Sequence, residues 1–162
     1  MIKIYGKNCT YEAIFAGHRL ECVYTTVETT QKDPNFTKLL DDKKIKYNII
    51  DKKKMDSMFP QSQGYGAYAS DYQYVTLEES LSKKTQGREI YLILDGLEDP
   101  HNFGAILRSA DAFGVKGVII PKNRSVSVTE VVAHVSTGAI EYVDIIMAVS
   151  YTHLRAHETL SD

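Results

Sequence analysis

The 162-residue sequence contains no tryptophan, only four prolines and two cysteines, and its opposite charges nearly cancel to a net −2. Cys9 and Cys22 are too few for a disulfide framework, and they lack the spacing of a metal site. No apolar run is long enough to span a membrane, and the first residues lack the apolar core of a secretion signal. The small net charge gives no overall attraction to nucleic acid or membrane, so any basic surface is local. These absences predict a reduced, cytoplasmic, metal-free protein.

The first part of the sequence, residues 1–75, alternates short strand and helix patterns. Asn8, Asp33 and Asp51 each stand where they can cap a following helix, and Pro34 suits a first helical position. The stretch QSQGYGAYAS is rich in Gly, Ser and Tyr, which predicts a loop leading into an edge strand. The alternation predicts a small α/β/α sandwich.

A second unit is predicted over residues 89–149, after a linker of one or two helical turns at residues 76–88 that few contacts should cross. Its strand, helix, strand, helix, strand pattern predicts an open parallel sheet with right-handed crossovers. The third strand, YVDIIMA, is expected to leave an apolar face uncovered. Residues 150–162 are polar and resemble a translated sequencing adapter, which predicts a non-native tail; a short native helix is the alternative.

One stretch of the second unit, from Asp95 to Gly114, reads DGLEDPHNFGAILRSADAFG. It follows a predicted strand, so it starts at the carboxyl edge of the sheet, where α/β proteins bind ligands. We predict a helix from Asn102 to Phe113, with Asn102 as its cap. Arg108 lies off the apolar stripe, one turn after Gly104, whose missing Cβ leaves the guanidinium a path to the crevice. This arrangement favours a polyanionic ligand.

Both polar residues of this stretch also have a simpler interpretation. Asn102 is then only a helix cap, and Arg108 is a surface residue that pairs with Asp99 or Asp111. The spacing alone does not choose between the two interpretations.

Six lysines of the first unit lie close together in the sequence. One interpretation is a solvated face. The other is a patch that contacts RNA phosphates, with neighbouring tyrosines as stacking partners for bases. The six residues are Lys43, Lys44, Lys46, Lys52, Lys53 and Lys54.

Several motifs resemble those of a known family. DGLEDPHNFGAILRSADAFGVKGVIIP resembles the first signature motif of the SpoU, or TrmH, family of RNA ribose 2′-O-methyltransferases. SVSVTEVVAHVSTGAIEYVDI resembles the second strand-to-helix stretch of that family, including its Ser-x-Gly-Ala turn, although His134 stands where many relatives have lysine. YGKNCTYEAI and SQGYGAYAS resemble its ribosomal-protein-like substrate-binding domain.

The resemblance implies methyl transfer from S-adenosylmethionine to a ribose 2′-hydroxyl of RNA, with 23S ribosomal RNA as the expected substrate, by a homodimer with a knotted SPOUT-type domain. It places the motif asparagine at Asn102 and the motif arginine at Arg108, beside the phosphate of the target ribose. The two later motifs, which form the knot and the S-adenosylmethionine pocket, do not follow Met147. We therefore assign no cofactor-binding residue and expect the chain as written to be inactive. The rival functions are a non-catalytic RNA-binding module and a small nucleotide-binding protein.

Overall fold

The structure is a computed structural model that describes residues 1–17, 20–123 and 125–148, and within them it contains two sheets. The first sheet has the order β1-β4-β2-β3 and the second has the order β5-β6-β7. All strand pairs of the second sheet are parallel, which confirms the predicted α/β class. The strands are β1 (Ile2–Tyr5), β2 (Leu20–Thr25), β3 (Tyr47–Ile49), β4 (Tyr65–Ala69), β5 (Tyr91–Ile93), β6 (Gly117–Pro121) and β7 (Asp144–Ala148).

The helices of the first unit are α1 (Lys7–Ala16), α2 (Val27–Lys32), α3 (Pro34–Asp42) and α4 (Lys52–Met58). Asp33 precedes α3 with Pro34 at its start, and the Asp51 carboxylate accepts a hydrogen bond from the backbone N–H of Lys54 at 2.9 Å, as predicted. Helix α1 begins at Lys7, so the prediction that Asn8 caps it is wrong. Helix α2 was not predicted; the Thr26 hydroxyl caps it by accepting from the Thr29 N–H.

Strand β4 lies in the middle of the first sheet and pairs with both β1 and β2, so the predicted edge position is wrong. Its small residues explain the difference. A Cβ on Gly66 would lie 2.7 Å from the ring of Phe59, so the strand carries glycine where this buried ring packs on its backbone. Small residues such as glycine and alanine are typical of loops, but they also occur in a strand on which other side chains pack closely.

Residues 76–88 contain helix α5 (Leu77–Ser82), which begins with a capping box between Thr76 and Glu79. Ser80 is buried and donates a hydrogen bond to the Asp144 carboxylate at 2.7 Å. At the end of the segment, Lys116 pairs with Glu89 at 2.8 Å. The segment is thus attached to the second sheet at both ends.

Helix α6 (Pro100–Ala112) follows β5, and α7 (Glu130–Val135) with a 3-10 helix (Ala139–Glu141) follows β6. The prediction that α6 begins at Asn102 as its cap is wrong. The Asp99 carboxylate accepts from the backbone N–H groups of His101 and Asn102, and Pro100 takes the first helical position. The pair Asp99–Pro100 is a stronger signal for the start of a helix than Asn102, which lies two residues after the proline.

Strand β7 is covered, contrary to the expectation from YVDIIMA. Ile145 and Ile146 are buried, and Val75 forms a parallel bridge with Ile146 at the outer edge of the strand. The other end strand of this sheet, β5, is the exposed one: the Ile93 side chain is 52% exposed. Residues 72–76 cover one flank of the second sheet, whereas no other strand among the described residues pairs with the outer edge of β5.

The two units share one continuous hydrophobic core, so the expectation of few contacts between them is wrong. Helix α7 lies along the outer edge of β1. Within the described residues, no helix combines the length and apolar character needed to cross a bilayer.

Candidate functional site

The carboxyl ends of β5 and β6 open into two loops, residues 94–99 and 122–129, that meet at one edge of the second sheet. The Leu94 N–H donates to the Ile119 carbonyl at 2.9 Å, and the Val126 N–H donates to the Leu97 carbonyl at 2.9 Å. These bonds hold both loops beside the start of α6. In an open parallel sheet this edge is where ligands bind.

Helix α6 presents one apolar face to the sheet and several polar side chains to solvent. Phe103 and Leu107 are fully buried, whereas Asn102 and Arg108 are exposed. Six residues separate Asn102 from Arg108, which places them about 120° apart around the helix axis. Both can therefore meet solvent at this edge, but they do not share one face of α6.

Gly104 has a packing role, and the prediction that it leaves a path for Arg108 is wrong. The residue is buried, and a Cβ built on it would lie 2.7 Å from the Cβ of Val135 and 3.2 Å from the backbone nitrogen of Ser136. Glycine is needed at this position because α6 and the end of α7 approach closely there.

Neither alternative partner of Arg108 engages it. The ion pairs formed among the described residues do not include Arg108. Asp99 caps the helix with both carboxylate oxygens. Burial, together with the nearby Glu12 charge, raises the pKa of Asp111. The Arg108 guanidinium is therefore available for a ligand.

A groove of about 460 Å³ borders this edge on the outer flank of α6. Its only polar side chains are Asn102 and Ser109, and no charged side chain lines it. S-adenosylmethionine carries a charged amine, carboxylate and sulfonium, which such an apolar groove does not match. This groove therefore does not fit S-adenosylmethionine. The described residues also contain no group of three or more His, Cys, Asp or Glu side chains that could hold a metal ion.

The six lysines of the first unit are all exposed, but the structure divides them into two sets. Lys43, Lys44 and Lys46 precede β3, whereas Lys52, Lys53 and Lys54 follow it. From Lys46 to Lys52 an extended chain covers up to about 20 Å. The two triplets therefore flank the short strand β3 at its two ends, and their joint contact with RNA stays a prediction.

Two further lysines, which the sequence reasoning missed, join the second triplet at its end of the sheet. Lys32 and Lys52 line a polar cleft of about 280 Å³ with Glu28 and Gln63. Lys7 lies at the carboxyl end of β1, the same end, and pairs with Asp33 at 3.0 Å. The sequence did contain a signal for these two lysines, namely their position after a strand. Lys7 follows β1 and Lys32 lies in α2 after β2, and both strands end at this edge of the first sheet.

Asp33 organises this end of the first unit. Tyr11 and Tyr65 donate their hydroxyl hydrogens to its carboxylate at 3.0 and 2.9 Å, and Lys7 completes the set. Burial opposes ionisation of Asp33, but the bonds from Lys7 and the two tyrosines outweigh it and lower its pKa. Burial and the same carboxylate raise the pKa of Tyr11 to about 12. Asp33 thus stays ionised, and Lys7 is held above the two rings.

Comparison with known families matches both units. Residues 89–160 match the SpoU rRNA Methylase family, and residues 3–75 match the family described as RNA 2′-O ribose methyltransferase substrate binding. Together these matches include the α6 motif, the α7 turn and the first sheet. Residues 149–160 of the first match lie outside the described residues, as does the predicted tail at 150–162.

Known proteins agree with this assignment. The chain is 43% identical over 147 residues to a protein assigned to the TrmH family of tRNA/rRNA methyltransferases in Staphylococcus aureus strain MSSA476, covering 88% of this chain and 59% of that protein. A relative from Staphylococcus saprophyticus is 40% identical, covering 99% of this chain and 66% of that protein. The chain thus spans about three fifths of the length of the S. aureus relative.

Solved structures show the same fold. The SpoU methyltransferase AviRb from Streptomyces viridochromogenes, in complex with AdoMet, superposes with a TM-score of 0.74 at 16% identity, covering 98% of this chain and 60% of that one. An AdoMet-bound rRNA methyltransferase from Sinorhizobium meliloti gives 0.73 at 17% identity, covering 97% and 57%. With both units matched and relatives at 40% identity or more, the chain belongs to the SpoU/TrmH family of RNA methyltransferases.

Proposed function

We propose that this chain is the RNA-facing part of an RNA ribose 2′-O-methyltransferase that uses S-adenosylmethionine and acts on ribosomal RNA, with 23S RNA as the expected substrate. The observation that carries the proposal is Arg108 in α6. It belongs to the stretch that resembles the family motif, its side chain is exposed, and the ion pairs among the described residues do not include it, which supports a role in binding an anionic ligand. The AdoMet in the solved relatives supports the choice of methyl donor. We further propose that the complete enzyme is a cytoplasmic homodimer, as the family resemblance implies.

In this proposal Arg108 binds the phosphate next to the target ribose and stabilises negative charge that develops on the 2′-oxygen. A ribose hydroxyl is a poor nucleophile, and a positive group near its oxygen favours loss of the proton. Because a guanidinium stays protonated, Arg108 acts by charge and position rather than as a base. Asn102 lies one and a half turns earlier on α6 and is proposed to orient RNA groups that enter the same edge.

The lysines that flank β3 supply the proposed sequence-independent contacts to RNA phosphates. Each contact releases counterions, so binding should weaken steeply with salt. The two ends of the first sheet present this charge separately, which allows the contribution of each triplet to be measured.

The test is methyl transfer by the longer protein encoded at the same locus, assayed with radiolabelled S-adenosylmethionine and ribosomal RNA. The expected product carries its label on ribose oxygens, which makes the adjacent phosphodiester resistant to alkali. Label on a base would contradict ribose methylation. RNA binding without any transfer would instead support a non-catalytic RNA-binding module.

The 162-residue chain itself should bind S-adenosylmethionine weakly or not at all, since the groove beside α6 does not fit it. Calorimetric titration of this chain with the cofactor measures this directly. A dissociation constant in the micromolar range, about −8 kcal/mol, would show that the chain forms a cofactor site by itself.

A further inference from the structure

Helix α7 carries a side chain that contacts the first unit directly. The His134 ring stacks on the Tyr5 ring with their centroids 4.1 Å apart and an angle of 14° between their planes. The His134 Nδ1 also lies 3.3 Å from the Tyr5 carbonyl oxygen, within hydrogen-bonding distance. From the other side, the Cys9 thiol donates to the His134 carbonyl at 3.5 Å. His134 is thus enclosed by the end of β1 and the first turn of α1.

The turn that follows α7 forms the second part of this contact. Thr137 and Gly138 both adopt positive φ, at 51° and 92°, which reverses the chain sharply. A Cβ on Gly138 would lie 2.5 Å from the Cβ of Glu12, so α1 packs directly on the backbone of the turn. The Tyr142 hydroxyl then donates to the Glu12 carboxylate at 2.5 Å. Any side chain at position 138 would push the units apart.

A third set of contacts comes from the segment between the units. The Ile145 N–H donates to the Tyr72 hydroxyl oxygen at 3.2 Å, and the Val128 N–H donates to the Tyr74 hydroxyl oxygen at 2.9 Å. The Val75 N–H donates to the Ile145 carbonyl at 3.0 Å. The chain leaving the first unit is therefore bound to β7 and to the loop before α7 before it reaches α5.

We infer that His134 and the turn Ser136–Ala139 are a docking site for the first unit, which fixes the position of its lysines relative to Arg108. The RNA part of this inference rests on the proposed function; the docking part does not. Substrate bound by the first unit then enters the edge at α6 in one orientation, because interlocking contacts allow less relative motion than a flexible tether. In this view His134 and Tyr5 are positioning residues, since neither lies among the loops at the carboxyl edge of the second sheet.

The docking is tested by measuring a distance between the units in the 162-residue chain. Spin labels are placed on two exposed helix positions by Lys38→Cys in α3 and Ser109→Cys in α6, in a Cys22→Ser background that leaves only the buried Cys9. We expect one narrow distance distribution. Tyr5→Ala and His134→Ala should broaden it, whereas Tyr5→Phe keeps the ring and should leave it narrow. Circular dichroism of each variant verifies that the units remain folded.

A second measurement connects docking to RNA. A photo-cross-linker at Ser127→Cys, on the exposed loop before α7, should label a bound RNA hairpin in the parent chain. With Tyr5→Ala we expect RNA affinity to change less than threefold while cross-linking at saturating protein falls at least fivefold. A merely structural loss would lower both together.

The possible results distinguish failure of the docking inference from failure of the proposed function. A distribution that is already broad in the parent chain, or that stays narrow in both alanine variants, overturns the docking inference whatever the RNA does. If the distances behave as expected but the parent chain does not bind RNA, the proposed function fails and the docking stands.

Discussion

Strands β3 and β5 are both three residues long, both stand at the end of their sheet, and both finish with a half-exposed isoleucine. Ile49 in β3 is 51% exposed and Ile93 in β5 is 52% exposed. Their surroundings differ sharply. Lysines flank β3 on both sides in the sequence, which is a usual protection of a free strand edge. Beside β5 the exposed side chains include two large apolar ones, Ile90 at 49% and Phe113 at 83%.

The difference separates two kinds of free surface. A charged edge is compatible with water and with phosphate, so the β3 edge needs no further protein to be stable. An apolar edge next to an apolar groove is a surface that further polypeptide normally covers. The first unit thus has a charged free edge and carries the proposed RNA contacts, while the unit that carries Arg108 has a partly apolar flank.

The largest expected effect concerns Arg108, on the β5 side. In the proposed complete enzyme, Arg108→Ala should lower the rate of methyl transfer on the order of 100-fold or more, because a charged transition-state contact is lost. Thermal stability should change little, since the side chain is exposed. Arg88→Ala, which removes an equally charged exposed residue outside the site, is the matched control. Retention of activity by the Arg108 variant would remove this residue from the mechanism.

The lysines test the β3 side. Changing Lys52, Lys53 and Lys54 together to alanine should weaken RNA binding on the order of tenfold and flatten its salt dependence. Changing Lys43, Lys44 and Lys46 should weaken RNA binding less. Lys7 and Lys32 lie at the same end of the sheet as Lys52, Lys53 and Lys54 and add positive charge only there. Salt titrations of a labelled RNA hairpin provide the measurement. Equal effects of the two variants would show that both ends of the sheet contact RNA, and two unchanged slopes would leave the lysines as a solvated surface.

The two isoleucines provide the direct comparison of the edges. Ile93→Lys should reduce self-association of the 162-residue chain several-fold, as a charge on an apolar edge opposes pairing of strands and sheets. Ile49→Lys has the same chemistry and exposure but lies among lysines, so it should change association little. Sedimentation velocity over a range of protein concentrations measures both variants. Identical behaviour would mean that the apolar β5 flank does not drive association.

Local patterns in the sequence were sufficient for most strands and helices and for the α6 motif, because each depends on neighbouring residues, although α2 was missed. What failed depended on packing between distant parts of the chain. Gly104 is explained by Val135, thirty-one positions away, and Gly66 in the central strand β4 is explained by the Phe59 ring that packs on it. His134 acquired a role only once β1 was seen beside α7.

The smallest effect expected lies just before β5, where Glu89 anchors the end of the 76–88 segment. Its carboxylate accepts from the Lys116 ammonium and from the backbone and hydroxyl of Thr85, and these bonds lower its pKa from 4.5 to about 2. A carboxyl whose pKa is depressed by folding stabilises the native state above its unfolded value and loses that effect as pH falls. The contribution should therefore be complete above about pH 5 and should disappear between pH 4.5 and about 2. Glu89→Gln should lower the melting temperature slightly at neutral pH, and the gap from the parent chain should close across that interval. Glu98→Gln, on an exposed loop, controls for the change in net charge. A gap that stays constant down to pH 2 would show that Glu89 holds the segment by packing rather than by its charge.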